Sequence, residues 1–420
     1  MSARPRIVVA GAGFAGLEAA YLMRMRMRDD VDITVVAPND RFVFRPNTIY
    51  LPFGGDVDPL LVDLAAPFRR RDITHHRALV TEVDPVASTV ATDDGQTHRY
   101  DALVLATGAA MRPDEIPGLA EHACTIWTID EMMELRTRLD ALVARARDGE
   151  RQRVLLTVAP NNKCAGPRYE IAFMLETWLR RQGVRDKVDI MYRTYEAGFI
   201  QAFGPRLHDV VVEEFAERGI DGRTGASLVE VREGESLFAD GSREAHDLVV
   251  AFPPYVAQVR YEGLASDERG FVATRLETRQ AVDHPAVYVP GDAGDFPVKQ
   301  AFLAFLQADA VADHVASAVK GNRFATPFDP VSMCVMEMFD KATFAQVPLR
   351  LTGDPARPVE VRPDAGDGYR VGVSPLWRFG KKLLGMYLPM RFHAGEPFHA
   401  GAGWQMMEVG LKGMSAVLSH

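Results

Sequence analysis

The sequence predicts an α/β protein built on two β-α-β units, because a strand, a turn and a helix follow one another at two places in the chain. The first pattern begins at residue 6 and the second at residue 153, and a further strand and helix, residues 284–316, are expected to return to the first unit. Apolar runs that alternate with helical patterns favour parallel sheets covered by helices. We therefore predict two Rossmann-like domains followed by a C-terminal region.

The first unit carries a glycine fingerprint. The strand Arg6–Ala10 is followed by the turn GAGFAG, residues 11–16, and then by the helical pattern LEAAYLM. In such a turn Gly11 permits the tight bend, Gly13 lets the backbone approach a pyrophosphate, and Gly16 lets helix and strand pack closely. The N-terminus of the helix favours the negative charge of the phosphates. The turn therefore predicts a dinucleotide site.

The ribose contact of this site departs from the usual pattern. A carboxylate is normally found about 20 residues after the turn, but the second strand ends in Ala37 and Pro38, with Asn39 and Asp40 just beyond. Either side chain can hydrogen-bond a ribose hydroxyl. We assign Asn39 to the cofactor site.

Two later segments indicate which dinucleotide binds. The segment YDALVLATGA contains Thr107 and Gly108, and a later strand ends in Gly291 and Asp292, before a loop that contains Lys299 and a long apolar helix. Together with the N-terminal turn, these segments resemble the two-dinucleotide-binding-domain flavoproteins, which include disulfide reductases, type II NADH dehydrogenases and sulfide:quinone oxidoreductases. The resemblance implies FAD, with Asp292 at its ribityl chain and Lys299 beside the flavin.

The turn of the second unit carries a cysteine in place of a second glycine fingerprint. The strand RVLLTVAP is followed by NNKCAGPRYE, residues 161–170, and then by an amphipathic helical pattern. Only Gly166 remains, and Pro167 removes an amide donor where NADH-binding relatives hold a pyrophosphate, so we predict no NADH site. A cysteine beside a helix N-terminus, next to Lys163 and near Arg168, is expected to have a lowered pKa and to be nucleophilic.

The same turn resembles the K-C-A-G-A-P-Y-E segment of sulfide:quinone oxidoreductases, and further segments extend the likeness along the chain. HDLVVAFPPY resembles a strand of that family that ends in a Pro-Pro pair, CVMEMFDKATFA resembles its C-terminal cysteine segment, and Cys124, Cys164 and Cys334 all fall at family positions. The resemblance implies that Cys164 and Cys334 meet beside the flavin as a disulfide or a sulfur-bridged pair. HS⁻ would attack this pair, Cys334 would be the thiolate next to the flavin ring, and Cys164 would carry the growing sulfane sulfur.

Two further assignments have alternatives. Cys124 is assigned to sulfur release or flavin attachment, and a packing role is the alternative. Glu170 is the best candidate for moving protons, although a carboxylate near a helix N-terminus is also favourable in itself. The histidine that the family leads us to expect after the next strand is absent before His208, and Gln201 stands in its neighbourhood.

The C-terminal tail predicts the electron acceptor. Residues 374–392 place five apolar side chains at helical spacing: Leu376, Phe379, Leu383, Tyr387 and Met390. Three basic side chains lie elsewhere on the helical circle: Arg378, Lys381 and Lys382. We expect Gly380 and Pro389 to divide the segment into short helices.

A basic amphipathic segment with Trp and Tyr is typical of a monotopic membrane anchor, and a dimer interface or a cap on the core is the alternative. The anchor favours membrane quinone as the oxidant, with Phe344 as one conceivable contact.

Charge and composition restrict the partners and the compartment. The formal net charge of −9 excludes nucleic acid as a partner of the whole molecule, whereas the last 50 residues carry an excess of basic residues, which suggests an anionic surface. No targeting segment and no apolar run of about 18 residues is visible, so we expect a peripheral protein on the cytoplasmic side of the cell membrane. We predict no metal ligands.

The predicted FAD domain is discontinuous, with residues 1–111 and 275–322 around a second domain at residues 112–274. A C-terminal redox and membrane region begins at residue 323.

A type II NADH:quinone oxidoreductase would share the fold, the FAD and the anchor, but would have no role for the cysteines. The flavoprotein subunit of a flavocytochrome c sulfide dehydrogenase would need export and a haem partner. A flavin-bearing sulfur sensor or persulfide carrier without turnover is the non-enzymatic alternative, and homo-oligomerisation is left open.

Overall fold

The computed structural model describes residues 4–321 and 325–419 and has the α/β architecture that the sequence predicts. One mostly parallel sheet and one fully parallel sheet are followed by an antiparallel C-terminal sheet and two helices. The predicted boundary between residues 322 and 323 lies outside the described residues, and the other domain boundaries stay predictions.

The helices of the described residues are α1 Phe14–Met27, α2 Ala65–Arg70, α3 Leu119–His122, α4 Ile129–Arg147, α5 Gly166–Gln182, α6 Pro205–Arg218, α7 Ala301–Lys320, α8 Pro375–His393 and α9 Ala402–Leu418. The strands are β1 Arg6–Ala10, β2 Asp32–Val36, β3 Arg41–Val43, β4 Leu61–Asp63, β5 Ile73–His76, β6 Val80–Asp84, β7 Thr89–Thr92, β8 Thr97–Arg99, β9 Ala102–Leu105, β10 Ala109–Met111, β11 Gln152–Val158, β12 Val188–Thr194, β13 Ile220–Arg223, β14 Leu228–Arg232, β15 Glu235–Phe238, β16 Arg243–Ala245, β17 Leu248–Phe252, β18 Tyr255–Ala257, β19 Gln280–Ala281, β20 His284–Tyr288, β21 Val331–Glu337, β22 Ala342–Leu351, β23 Val359–Val361 and β24 Arg370–Ser374.

The first sheet has the strand order β19-β20-β9-β1-β2-β5, with β1 parallel to both of its neighbours. Its central strands are nearly continuous apolar runs because both faces are covered. Helices α1 and α7 pack against each other and against one face, and the antiparallel sheet of β6, β7 and β8 covers the other. The glycine turn therefore lies at the carboxyl end of β1, which is the edge where open α/β sheets bind their ligands.

The second sheet has the strand order β13-β12-β11-β17 and is parallel throughout. Helix α5 begins a few residues after the end of β11, so the second turn also lies at the carboxyl edge of its sheet. Strand β10 pairs with β18 in the connection between the two units. The C-terminal strand β21 contacts both α5 and α7, which brings the C-terminal sheet to the place where the two carboxyl edges meet.

Helix α8 corrects one prediction. It is a single helix, Pro375–His393, in place of short helices separated at Gly380 and Pro389. A proline inside a helix costs about 3 kcal/mol. The packing of both halves outweighs this cost, since Trp377 near one end and Phe392 near the other are fully buried.

Helix α7 meets the length and composition of a membrane span, with a mean hydropathy of 1.2, although no apolar run of that kind was expected from the sequence. In the structure 67% of this segment is buried, and the helix packs against α1 and the first sheet. Its apolar composition is thus explained by its place in the core of the first unit.

Candidate active site

A cavity of about 830 Å³ lies where the two carboxyl edges and the C-terminal sheet meet. Its wall joins the glycine turn, the segments 106–109 and 297–302, the second turn and part of α8. Eleven of the residues predicted from the sequence line it: Gly11, Gly13, Asn39, Thr107, Gly108, Cys164, Glu170, Gly291, Asp292, Lys299 and Cys334. The predicted residues Gly16 and Cys124 do not.

The glycine turn has the geometry that a pyrophosphate needs. Gly11 has a φ of +106°, and a Cβ at this position would collide with the carbonyl group of Ala106. A Cβ on Gly16 would collide with the carbonyl of Gly11, whereas a Cβ on Gly13 would meet nothing within 4 Å. Gly11 and Gly16 therefore hold the turn against strand and helix, and Gly13 keeps the space at the N-terminus of α1 open for an anionic group.

Single alanine substitutions are expected to separate these two roles. Gly11→Ala and Gly16→Ala should lower the melting temperature by more than about 5 °C, because a Cβ clashes with backbone in both cases. When the two proteins are compared with the flavin removed from both, Gly13→Ala should melt within about 2 °C of the parent protein, and yet it should be purified with most of its flavin lost. Thermal unfolding and the flavin-to-protein absorbance ratio measure the two effects. Equal losses of stability in all three variants would contradict this division.

Asp292, Lys299 and Arg45 bring charges to the cavity wall, and of the three Lys299 is buried. Burial raises the pKa of Asp292, while Lys299 and Arg45 oppose this rise. Burial also lowers the pKa of Lys299 to about 7. The Lys299 ammonium donates to the carbonyl of Gly294 and lies 3.9 Å from the ring centroid of Phe271. A buried ammonium that titrates near neutrality beside an open cavity is typical of a ligand-binding wall.

The remaining predicted cofactor contacts lie along the same wall. Asn39 is exposed just beyond β2, whereas its neighbour Asp40 lies 3.5 Å from a guanidinium nitrogen of Arg77. Thr107 Oγ1 accepts a hydrogen bond from the hydroxyl of Tyr261 at 3.2 Å. The cavity wall combines the open glycine turn, charged side chains and a large apolar area. This combination fits a dinucleotide that carries a flavin.

Cys164 and Cys334 reach this cavity from different parts of the fold. Cys164 lies in the second turn, where its N–H donates to Oδ1 of Asn162 at 2.9 Å. Cys334 lies on β21, opposite Ala345 of β22. Both are free thiols in the structure, and Cys334 is close enough to Cys164 to contribute to the rise in the pKa of the Cys164 thiol. The fold thus brings together the two cysteines that were paired only by resemblance.

The expected lowering of the thiol pKa is wrong. Burial raises the pKa of Cys164 far above its ordinary value, Asp292 and Cys334 add to the rise, and the N–H of Gly166 opposes it only in part. Burial likewise raises the pKa of Cys334 to about 12, and Glu170 adds to this rise. Desolvation therefore outweighs the helix N-terminus. Both reduced sulfurs are neutral thiols at pH 7, so a nearby group must stabilise either one as a thiolate.

Arg168 and Cys124 lie away from the cavity. Arg168 is fully buried inside the second domain, and its three guanidinium nitrogens lack hydrogen-bond partners within the described part of the chain. Cys124 is 6% exposed, and its N–H donates to the carbonyl of Val249 at the edge of the second sheet. The structure places Cys124 in the core, which agrees with the packing alternative.

Glu170 pairs with a residue that the sequence analysis did not assign to the site. Its Oε1 accepts hydrogen bonds from the N–H of Glu337, at 2.7 Å, and from the ammonium of Lys381 on α8. Lys381 also donates to the carbonyl of Val335, at 2.8 Å, next to Cys334. Burial raises the pKa of Glu170, and Lys381 opposes the rise. The pair places a proton donor and a proton acceptor beside the Cys334 strand.

A second ion pair reinforces the contact between α8 and β21. Arg378 Nε donates to Oε1 of the fully buried Glu337 at 2.6 Å, and the hydroxyl of Tyr50 donates to Oε2 at 2.9 Å. The tail helix is therefore tied to the cysteine strand by two buried carboxylates, each of them neutralised by a basic residue of α8.

Lys381, Arg378 and Glu337 were missed because the tail was treated as a surface helix. Its basic residues were expected to face outward, but only Lys382 is exposed. One signal was available, since Arg378 and Lys381 are three positions apart and so lie on one side of the helix. Their carboxylate partners are distant in sequence, and no spacing rule connects them.

Removing Lys381 is expected to destabilise the protein through the charge it leaves behind. Lys381→Met buries Glu170 without a partner and should lower the free energy of unfolding by about 3 kcal/mol. The double variant Glu170→Gln/Lys381→Met should recover most of this loss, because neither charge remains. Denaturant unfolding of the four proteins in the cycle measures the coupling. Additive losses in the double variant would show that the ion pair has no such role.

The second turn offers few amide donors. Pro167 lies in the first turn of α5 and has no N–H to donate. Glu196, which follows β12, accepts hydrogen bonds from Tyr169 and Thr194 at 2.9 Å and from the N–H of Gln201 at 3.0 Å, so both of its oxygens are engaged. No histidine lines the cavity among the described residues, and Gln201 does, as the sequence suggested.

Comparison with known proteins finds a matching family model for part of the chain and similar proteins for most of it. Residues 5–155 match the family model described as pyridine nucleotide-disulphide oxidoreductase. The sulfide-quinone reductase of Aquifex aeolicus (strain VF5) is 29% identical over 254 residues, which cover 60% of this chain and 57% of that protein, so the match spans little more than half of its length. The mitochondrial sulfide:quinone oxidoreductase of Dictyostelium discoideum is 24% identical over 353 residues, covering 78% of this chain and 74% of that protein.

Solved structures agree on the fold. The X-ray structure of the sulfide:quinone oxidoreductase from Aquifex aeolicus matches with a TM-score of 0.85 at 22% identity, covering 98% of this chain and 96% of the other. The type II NADH:quinone oxidoreductase Ndh of Mycobacterium tuberculosis is also similar, at 25% identity over 370 residues that cover 82% of this chain and 78% of that protein. The similar proteins therefore include enzymes named for different electron donors, and the choice between donors depends on the site.

Proposed function

Because the chain is a homologue of the sulfide:quinone oxidoreductases, we propose that it oxidises sulfide to sulfane sulfur or polysulfide and passes the electrons through FAD to a membrane quinone. One observation carries the proposal. Cys164 and Cys334, from distant parts of the chain, line the same cavity as the open glycine turn and Asp292.

FAD would be held by the glycine turn, with Asn39, Thr107 and Asp292 along its length and Lys299 as a positive charge on the wall. A bound FAD would take two electrons from a reduced sulfur centre and return them to a quinone. Because the pKa of Lys299 is about 7, this residue can give or take a proton at the cavity wall near neutral pH.

The sulfur chemistry belongs to Cys164 and Cys334. In the oxidised form the two sulfurs are joined by a disulfide or a sulfur bridge. HS⁻ attacks the Cys164 sulfur, an S–S bond forms to the incoming sulfur, and the Cys334 sulfur leaves with the electron pair. Those two electrons pass to the quinone, which takes up two protons and becomes the quinol. These two electrons are released as the Cys334 sulfur bonds to the outer sulfur of the Cys164 persulfide, so that a bridge with one more sulfur atom forms and two protons are lost.

Lys381 and Glu170 would manage charge during this step. A buried thiolate at Cys334 is unfavourable, since burial raises the pKa of its thiol to about 12. The positive charge of Lys381 opposes that effect and stabilises the departing sulfur. Glu170, hydrogen-bonded to Lys381, is positioned to accept the proton that HS⁻ or a persulfide loses. This assignment replaces the missing histidine with a carboxylate–ammonium pair.

The exposed apolar side chains of α8 and α9 support association with a membrane. They are Leu376, Phe379, Leu383, Met386, Met390, Met406, Val409 and Val417, each more than 40% exposed. Tyr387, predicted for the same set, is buried. Exposed apolar side chains on amphipathic helices suit a bilayer surface, and α8 also ends in the basic residues Arg391 and His393. Leu384 and Leu388 of α8 line the cavity, so a quinone could enter it from the lipid side.

Steady-state quinone reduction tests the proposal. Purified protein should reduce a soluble quinone with sulfide as donor, at one quinol formed per sulfide consumed, and NADH should support less than about a hundredth of that rate. A faster reaction with NADH would move the assignment to a type II NADH:quinone oxidoreductase, to which the chain is also similar in sequence. Flavin reduction without quinone turnover would favour a sulfur sensor or persulfide carrier.

A further inference from the structure

A group of side chains suited to a metal ion lies outside the cavity, where the first unit meets the C-terminal segment. Glu18 of α1, Asp309 of α7 and His399 of the loop between α8 and α9 each place a potential ligand atom within 4.8 Å of the other two. His399 Nδ1 lies 2.6 Å from Oδ2 of Asp309. We propose that these three side chains bind one first-row divalent cation, for which Zn²⁺ is the probe.

The charges in this group call for a cation. Glu18 is fully buried and Asp309 is partly buried, and a carboxylate oxygen of each lies within 4.8 Å of the other. Two carboxylates that face each other away from water repel strongly unless a positive charge lies between them. The neighbouring Arg26 forms an ion pair with Asp313.

Two atoms of the group have unused binding capacity. Asp309 Oδ1 and His399 Nε2 are both buried and have no hydrogen-bond partner within the described part of the chain. The His399 side chain is only 8% exposed, so water has little access to it. Buried polar atoms in proteins nearly always have a partner, and a bound ion is one explanation when none is visible.

The surroundings hold the ligands in place. Glu18 Oε2 accepts a hydrogen bond from the N–H of Phe398 at 2.6 Å, and Oε1 accepts one from the N–H of His399 at 3.0 Å. Such outer contacts orient metal-binding carboxylates. Two carboxylates and one imidazole, with a water in the fourth position, suit Zn²⁺ and its neighbours better than Mg²⁺ or Ca²⁺, which prefer oxygen alone.

The site would have a structural consequence for the tail. A cation held by Glu18, Asp309 and His399 would clamp the loop before α9 onto α1 and α7. Phe398, in the same loop, lines the cavity and lies 4.8 Å from the ring of Phe305 in a stacked arrangement. The sequence analysis expected no metal ligands, because the three residues are between 90 and 381 positions apart and share no motif.

Zinc titration of the full-length, flavin-loaded protein tests the proposal. After removal of metal with a chelator, calorimetry and metal analysis should show one Zn²⁺ per chain that is lost in His399→Ala and in Asp309→Asn, with at least a hundredfold weaker affinity. All proteins in the comparison should carry Cys334→Ser, so that the cysteine pair does not bind the probe. His76→Ala is the matched control, since His76 lies 2.9 Å from Asp94 near the surface and should keep the site intact.

A second measurement keeps the test independent of folding. Zn²⁺ should raise the melting temperature of the parent protein and of the His76→Ala control, and leave that of Asp309→Asn unchanged. Asp309→Asn is nearly isosteric, and it decides the outcome if His399→Ala does not fold. Equal zinc affinity in the parent protein and Asp309→Asn would overturn the proposal, and so would the absence of binding to the parent. The result does not depend on which electron donor the protein uses.

Discussion

Cys334→Ser is expected to slow the reduction of the flavin by sulfide by at least about a thousandfold. Serine cannot form the S–S bond that HS⁻ must attack, and its hydroxyl is a poor leaving group for the exchange. Cys164→Ser should cause a loss of similar size for the same reason. Rapid mixing of the anaerobic variants with sulfide, followed at the flavin absorbance maximum, measures the rate directly.

The slower flavin reduction in these two variants must be shown to come from the missing sulfur chemistry, and not from misfolding or loss of flavin. Both variants should bind as much flavin as the parent protein and melt at a similar temperature, because serine is smaller than cysteine and both positions border the cavity. Cys124→Ser is the informative comparison, since Cys124 is packed in the core beside the second sheet, and it should keep the rate within about threefold. A loss as large as that of Cys334→Ser would return Cys124 to the redox chemistry and contradict the placement argued here.

Phe379→Glu/Met386→Glu is expected to weaken binding to lipid vesicles by about a hundredfold or more. The two side chains are 62% and 71% exposed and are seven positions apart, so they lie on the same side of α8. Burying two such side chains is worth about 3 kcal/mol or more, and each 1.4 kcal/mol is a factor of ten in the binding constant. Sedimentation with vesicles that contain an anionic phospholipid measures the bound fraction.

An exposed apolar residue elsewhere provides the control. Val86 is 90% exposed in the small antiparallel sheet of the first unit, far along the chain from both tail helices. Val86→Glu should bind vesicles as the parent protein does. Activity with a soluble quinone should survive in the double variant, since neither replaced side chain lines the cavity. Unchanged vesicle binding in Phe379→Glu/Met386→Glu would assign these residues to another partner, such as a second copy of the chain.

The residues of the glycine turn could be predicted from the sequence because the local backbone geometry dictates them. Gly11 and Gly16 each have no room for a side chain, and this is why the pattern is visible as letters. The pairing of Cys164 with Cys334 came from resemblance alone, since nothing in their spacing connects them. The fold brings them to one cavity because α5 and β21 pack together.

What the sequence could not provide depends on burial and on long-range contacts. The pKa of Cys164 was expected to fall, because Lys163 and a helix N-terminus stand beside it in the sequence, but burial dominates and raises it. Lys381 is part of a basic amphipathic pattern, yet it turns inward to a carboxylate more than 200 positions away. The direction in which a tail helix faces is set by what it packs against, and that information is absent from the helix itself.

The central claim is that sulfide, and not NADH, reduces this protein through the cysteine pair. The most direct measurement is the absorbance of the bound flavin under anaerobic conditions, with sulfide added to one sample and NADH to another. The account predicts rapid bleaching by sulfide alone, recovery on addition of a soluble quinone, and no bleaching by sulfide in Cys334→Ser. Rapid bleaching by NADH, with sulfide inert, would contradict it.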